Sequence, residues 1–461
     1  MIETLRSTNL AALVTDVVER ALRAGATDAE AVAHEGDEFE VKIRLGQVET
    51  LTESGSRAIG LRVFCGQRTA TTSTSDLSEE SIARLVSGAV ELAKITSEDP
   101  FVGLPEREQF SDLRNGDALG LYFEDVYSLP AAERIEMARR AEAAAMAADV
   151  RIQNSDGSTF EAATGHKVMA NSRGFVGEYR KSSCSISATP IAQDESGMQR
   201  DYWYSSARTL RKLDSPESIG KEAARRATRR LGARRVKTQQ ATMVFPPEIA
   251  RSIIGNIFEA ANGDAIYRHA TIFEGKLGES VAGENITVVN DGTMMLEPGL
   301  AGFGTLPFDG EGLPTQRTVI VEKGILKSYV LNNYTARKLG LQSTGNASRG
   351  LAGAPGIGGG NFYLEAGTLT PQEILGDVKD GLYVTETLGS GVNLVTGDYS
   401  QGASGIWIEN GEFTHAVEEI TIAGNLKDMY QNIVAVGNDL IFRSSNAAPT
   451  IRIEGMTIAG E

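Results

Sequence analysis

Residues 388–428 read LGSGVNLVTGDYSQGASGIWIENGEFTHAVEEITIAGNLKD, and this stretch decides the fold class. Val392 and Leu394 alternate with other residues up to a turn at Gly397-Asp398. Ile406, Trp407 and Ile408 then lead into Asn410-Gly411, a dipeptide that favours a two-residue type I′ hairpin because both positions tolerate positive φ. Beyond the turn, Phe413, Val417, Ile420 and Ile422 are β-formers in a returning strand. Gly424-Asn425 ends that strand, and Leu426, Met429 and Tyr430 begin a helical pattern. The predicted unit is antiparallel sheet, in which Gly402, Gly405 and Gly411 leave backbone open to close approach by another chain.

Working outward, 461 residues suffice for two or three domains with an ample core. The 61 acidic and 45 basic residues give a formal net charge of -16, so nucleic acid is not an expected partner. The two cysteines, Cys65 and Cys184, lack Cys-x-x-Cys spacing, which argues against a disulfide framework and fits a reducing cytoplasm. Glu3, Arg6 and Asp16 lie where a signal peptide would be apolar, and no run of 18 apolar residues occurs, so no membrane segment is expected.

In the N-terminal part, Leu10, Leu13, Val14, Val17 and Ala21 recur at helical spacing until Gly25. From Glu38 to Ala70 the period becomes two: Phe39, Val41 and Ile43, then Ile59, Leu61 and Val63, alternate with polar residues as hairpins with one wet face. Ser78 caps a helix whose Ile82, Leu85, Val86, Ala89 and Ala93 form one stripe. Residues 1–98 therefore read as an N-terminal α+β domain. A second, 115–237, has an Ala-rich helix after Pro130 and strands at 150–155, 168–170, 175–187 and 202–206. Helix followed by strands thus occurs twice, the pattern of a duplication.

The second unit ends in KEAARRATRRLGARRVK (221–237), with Arg225, Arg226, Arg229 and Arg230 at i and i+4 on a helix. A solvated connecting helix that meets an acidic surface is expected; a nucleic-acid site is the alternative, without aromatic residues to support base contacts. Residues 240–461 form the third, β-rich unit. The fold class is α+β: N-terminal helices on antiparallel hairpins, and a C-terminal domain of curved antiparallel sheet with flanking helices.

Several blocks carry a resemblance. Gly405–Glu412 (GIWIENGE), Thr421–Leu426 (TIAGNL), Val288–Thr293 (VVNDGT), Phe308–Gly312 (FDGEG) and Ser343–Ala347 (STGNA), with Glu53–Gly55 and Thr74–Ser78 upstream, resemble the TldD/PmbA family in the family's own order. Their wording is similar to its PmbA (TldE) branch. The resemblance implies one of two subunits of a cytoplasmic metallopeptidase that processes or degrades unfolded peptides, as in microcin maturation or antitoxin degradation. The family's other name refers to modulation of DNA gyrase.

In the metal-bearing TldD branch, a His-Glu-x-x-x-His motif places two histidines on neighbouring helical turns to face one zinc, while the Glu activates its water. Counting back without gaps from Val288–Thr293 brings those positions onto Ile254, Gly255 and Glu259. Isoleucine cannot ligate, glycine cannot act as a base, and one carboxylate does not build a zinc site. That branch also uses a cysteine near the C-terminus, and no cysteine follows Cys184. The resemblance therefore implies no metal or other cofactor in this chain, zinc in a TldD-like partner subunit, and a heterodimer, with a homodimer open for the isolated protein.

No catalytic residue is assigned. Ser400, Gln401, Gly402, Ser404 and Gly405 are candidates for peptide or partner binding, as a glycine-rich strand edge on which a substrate adds a strand. Asp309 and Glu311 would suit an acid and base pair, but Gly310 and Gly312 make them read as an exposed turn or a partner contact. His269 is the histidine nearest the vacated metal helix in sequence; His34, His166 and His415 read as structural. The run GLAGAPGIGGG (350–360) lacks dinucleotide spacing and feeds the strand-like Asn361–Leu364. The leading reading is the non-metal subunit. A regulatory protein acting on DNA gyrase through the basic helix, and a self-sufficient homodimeric peptidase, remain as alternatives.

Overall fold

The computed structural model describes residues 9–460, so Glu3 and Arg6 of the N-terminal pattern lie outside the described residues. Period-two sequence yields four unusually long strands, β1 (Asp28–Arg44), β2 (Gln47–Cys65), β4 (Ile152–Asn171) and β5 (Val176–Asp194), with the shorter β3 (Arg68–Thr74) and β6 (Gly197–Arg200) at the sheet's edges. They lie in the order β3-β2-β1-β4-β5-β6, and β7 (Trp203–Ala207) pairs with β5. The pieces expected at 150–155 and 168–170 are parts of the single strand β4. The two helix-then-strand segments share this sheet and meet where β1 pairs antiparallel with β4.

Four helices cover one face: α1 (Leu10–Arg23), α2 (Glu79–Ile95), α3 (Ala131–Ala148) and α4 (Pro216–Thr228). The side chains of Asn9, Ser78 and Ser215 accept backbone N–H groups at the starts of α1, α2 and α4, satisfying donors a free helix end leaves unpaired. Ala29, Ala31 and Ala33 of β1 pack in one core with α1 and α2, while Phe39, Val41 and Ile43 pack in another with α3 and α4.

The opposite face was expected to be wet, and over its central part it is not. Glu30, Val32, Gly60 and Arg62 are buried there. Residues of the C-terminal part cover this face so closely that a Cβ on Gly60 would stand 1.9 Å from the Leu351 carbonyl oxygen. Only glycine fits at that contact.

In the C-terminal part, β8 (Gln239–Phe245), β9 (Asp380–Leu388), β10 (Asp398–Glu409), β11 (Glu412–Asn425), β12 (Ile433–Val436) and β13 (Ile451–Ala459) follow the order β11-β10-β9-β8-β13-β12. A further pairing of β11 with β13 closes the curled sheet into a barrel. The β8–β9 pair is parallel and the others in the barrel are antiparallel. The β10–β11 turn has Asn410 at φ 50° and Gly411 at φ 82°, as the Asn-Gly signal requires. Helix α5 (Pro247–Ala260) packs against barrel strands and against a five-stranded sheet that includes Val288–Asp291 and Asn361–Leu364. Its Ile253, Ile254 and Ile257 are fully buried in the largest core. Among the described residues, no helix is long and apolar enough to cross a membrane.

Candidate functional site

The covered face of the first sheet and the loops that cover it enclose a cavity of about 530 Å³. Strand register builds one wall: His34 of β1 lies opposite Lys167 of β4, which lies opposite Tyr179 of β5. Along the same strands, Gly36, Gly165 and Lys181 form the parallel row. The other wall is rich in glycine, including Gly292, Gly304 and Gly358–Gly360, and also carries Asp309 and Arg349. At Gly165 a Cβ would stand 3.2 Å from His34 Nε2 and within 3.7 Å of Lys181 Cε, so this glycine keeps the floor between the two side chains open.

The electrostatics of this wall are cationic. Lys167 Nζ donates to the Arg349 carbonyl at 2.8 Å. Burial, reinforced by the charges of Arg349 and Lys181, lowers the Lys167 ammonium to about 8, and nearby Asp309 and Glu30 only partly offset this. His34 is lowered by burial and by Lys181 and Lys167, and Lys181 by burial and Arg208.

Beside the cavity runs a buried ion network. Glu30, fully buried, lies 2.5 Å from Arg62 Nε and 2.9 Å from Arg349 Nη1. Arg62 Nη2 is 4.0 Å from Glu311, whose other oxygen accepts the Asn333 N–H. Asp309 accepts the N–H groups of Glu311, Leu313 and Ala347. The exposed turn expected at Asp309 and Glu311 is thus corrected: the two residues are 4% and 2% exposed, because their carboxylates serve backbone donors inside the loop assembly. Burial raises Asp309 to about 6; burial and the neighbouring Asp309 charge raise Glu311 to about 7.

Sequence reasoning missed Glu30, Arg62, Lys167, Lys181 and Arg349. A local signal existed for the first two. Glu30 stands between alanines in DAEAVA, and Arg62 lies between Leu61 and Val63, so each charge sits on a strand whose neighbours are apolar.

Other expected site residues fall elsewhere. Ile254 is buried at 0% in the core, a Cβ at Gly255 would meet Asn446 Nδ2 at 3.0 Å, and Glu259 is exposed. These side chains do not fit zinc, and among the described residues no three His, Cys, Asp or Glu groups gather as ligands. The strand edge expected at Ser400–Gly405 is also corrected. Gly402 pairs with Leu388 of β9 and Thr421 of β11, and Gly405 with Val384 and Val417, so this segment is interior to the sheet, between β9 and β11. Gln401 is half-buried, Ser404 is buried, and Ser400 is exposed but bonded through its N–H to Gly391. The close approach at Gly405 comes from the chain's own Tyr383 carbonyl, 2.5 Å from a would-be Cβ.

His269 has φ 58°, pairs with Glu274 and does not line the cavity. His166 lies between Glu35 at 3.3 Å and Glu178 at 2.9 Å, and His415 stacks on Trp407. The basic segment meets the chain's own acids, as expected, but is not solvated throughout. Arg226, with a side chain 12% exposed, reaches Glu222 and Glu248, and its guanidinium lies 3.8 Å from the Trp203 ring centroid. Arg230 pairs with Glu386 at 2.6 Å.

Fold and site together define a mixed α+β protein in which a curved sheet and a barrel-bearing C-terminal part enclose a glycine-walled, cationic cavity. Residues 29–93, 124–231 and 238–460 match, in turn, PmbA/TldA metallopeptidase domain 1, central domain and C-terminal domain. Metalloprotease PmbA of Escherichia coli O157:H7 is 38% identical over 441 residues, covering 95% of this chain and 94% of that protein. The metalloprotease PmbA homolog of Haemophilus influenzae is 36% identical over 449 residues, covering 97% and 95%.

Among solved structures, a putative modulator of DNA gyrase from Bacteroides thetaiotaomicron superposes with a TM-score of 0.88 at 26% identity, covering 98% of this chain and 100% of that one. TldE from Thermococcus kodakarensis, with a TM-score of 0.87 at 21% identity and coverage of 97% and 100%, shares the fold. The chain belongs to the PmbA/TldD metallopeptidase family.

Proposed function

We propose that this chain is the non-metal, TldE/PmbA-type subunit of a cytoplasmic metallopeptidase that acts on unfolded peptides, with a TldD-like partner supplying the zinc and its base. The observation that carries the reading is the state of the metal-motif positions: a core isoleucine, a glycine against Asn446 and a lone exposed glutamate, in a chain that otherwise matches the family along nearly its whole length. Metal bound in the partner would activate water for peptide hydrolysis. This chain's residues would enclose the peptide and hold its backbone, a role better suited to the glycine-walled cavity than to the interior Ser400–Gly405 segment.

The test is peptidase activity on an unfolded peptide for this chain alone, for a TldD-type partner alone, and for their mixture, each with and without chelator. Cleavage by the mixture alone, stopped by chelator, supports the assignment. Cleavage by this chain alone would instead make it a self-sufficient peptidase. A second reading is a regulatory protein acting on DNA gyrase through the basic helix, of which Arg226 is held by Glu222 and Glu248 and Arg230 by Glu386.

A further inference from the structure

The wall formed by His34, Lys167 and Lys181 is out of balance with its surroundings. Three adjacent strands bring these groups together, and the acids nearby are already committed: Asp309, which also lines the cavity, accepts three backbone N–H groups, and Glu30 is held by Arg62 and Arg349. Lys167 has as its hydrogen-bond partner a neutral carbonyl, that of Arg349. Among the described residues, no carboxylate forms an ion pair with Lys167 or Lys181. A half-buried ammonium in such surroundings gains most from an anion that brings its own charge and acceptors.

The cavity also has room for one. Its volume of about 530 Å³ falls within the range of about 300–1,000 Å³ typical of small-ligand sites. The absent side chain at Gly165 opens the floor between His34 and Lys181. Opposite, Gly292, Gly304 and Gly360 pack on the chain's own atoms, where a Cβ would stand 2.1–2.6 Å from a neighbour, so these loops lie close together along that side of the cavity.

We propose that this cavity binds the C-terminal carboxylate of a peptide, with Lys167 as its principal partner and with Lys181 and His34 beside it. This rests on the reading of the chain as a peptide-holding subunit and specifies which end of the peptide it holds. The carboxylate seats against the β4–β5 wall, and the preceding residues run along the glycine loops. Free small anions share the carboxylate's chemistry, so the experiment separates the two sources.

Calorimetric titration of this chain with acetyl-Ala-Ala-Ala bearing a free carboxylate, and with the same peptide as its C-terminal amide, tests the proposal. The acid is expected to bind at least about tenfold more tightly than the amide, as loss of one charge-assisted hydrogen bond implies. Lys167→Met is expected to abolish that preference. Lys181→Gln, at an exposed position, is expected to reduce it several-fold and serves if the first variant does not fold.

Equal binding of acid and amide, no binding of the acid, or a preference that survives in both variants would overturn the proposal. So would inorganic phosphate or acetate that displaces the peptide acid at equal concentration. Because this assay uses no partner and no cleavage, its failure alongside chelator-sensitive cleavage by the mixture leaves the subunit assignment standing. Acid-selective binding without any cleavage does the reverse.

Discussion

Arg349 in the C-terminal part and Glu30 in β1 form a 2.9 Å ion pair in which both side chains are 0% exposed. Glu30 also holds Arg62, at 2.5 Å, so one carboxylate neutralises two buried guanidinium groups. Glu30→Gln leaves both without a full counter-charge and should cost about 3–5 kcal/mol. Arg349→Met leaves Glu30 its contact with Arg62 and should cost less. Urea unfolding of both variants checks the order; equal losses would mean that Arg62 does not compensate.

The buried acids make stability depend on pH in a stated direction. In the unfolded chain, Asp and Glu titrate near about 4. In the fold, Asp309 rises to about 6 and Glu311 to about 7, so the folded state binds more protons across this window. Their contribution favours folding at low pH and is lost as pH rises through the folded values. Glu311→Gln removes one of these groups, and its unfolding free energy should fall less steeply between about pH 5 and about pH 7.5. A variant with the wild-type slope would show that Glu311 does not titrate there.

The Arg226 guanidinium stacks on Trp203 and pairs with Glu222 and Glu248. Arg226→Ala should therefore lower stability by about 1–3 kcal/mol, read by thermal melting. The companion measurement is a gel shift or gyrase pull-down with Arg225, Arg226, Arg229 and Arg230 all changed to Ala. No binding is expected from either protein, and binding that only the wild type shows would support the gyrase reading.

Because Gly402, Ala403 and Gly405 are paired on both sides, their amides should exchange slowly, close to the global unfolding limit. Added peptide should not slow them further. Rapid exchange that peptide suppresses would return this segment to the role of a docking edge.

Much of the local structure was legible. The Asn410-Gly411 turn, the cap at Ser78, the stop at Gly25 and the entry of Gly350–Gly360 into a strand follow from φ preferences and hydrogen bonds that act within a few residues. The candidate site was barely legible. Asp309 and Glu311 were found as residues but placed on the surface, since Gly310 and Gly312 carry the same signal in a buried loop as in an exposed one. Lys167 and Lys181 gave no signal, because each stands beside polar residues, His166 before Lys167 and Arg180 and Ser182 around Lys181, and so reads as the wet side of a strand.

The sequence by itself determined the period of each element, its ends and its turns, together with the family through blocks in a recognisable order. Tertiary structure alone decided that the second face of β1 and β2 is covered, that β10 is interior to a closed barrel, and that His34, Lys167 and Lys181 form one cationic wall. The reason is physical. Alternation specifies two faces of a strand but not what lies against each, and pairing between strands far apart in sequence depends on register and closure, which no local window contains.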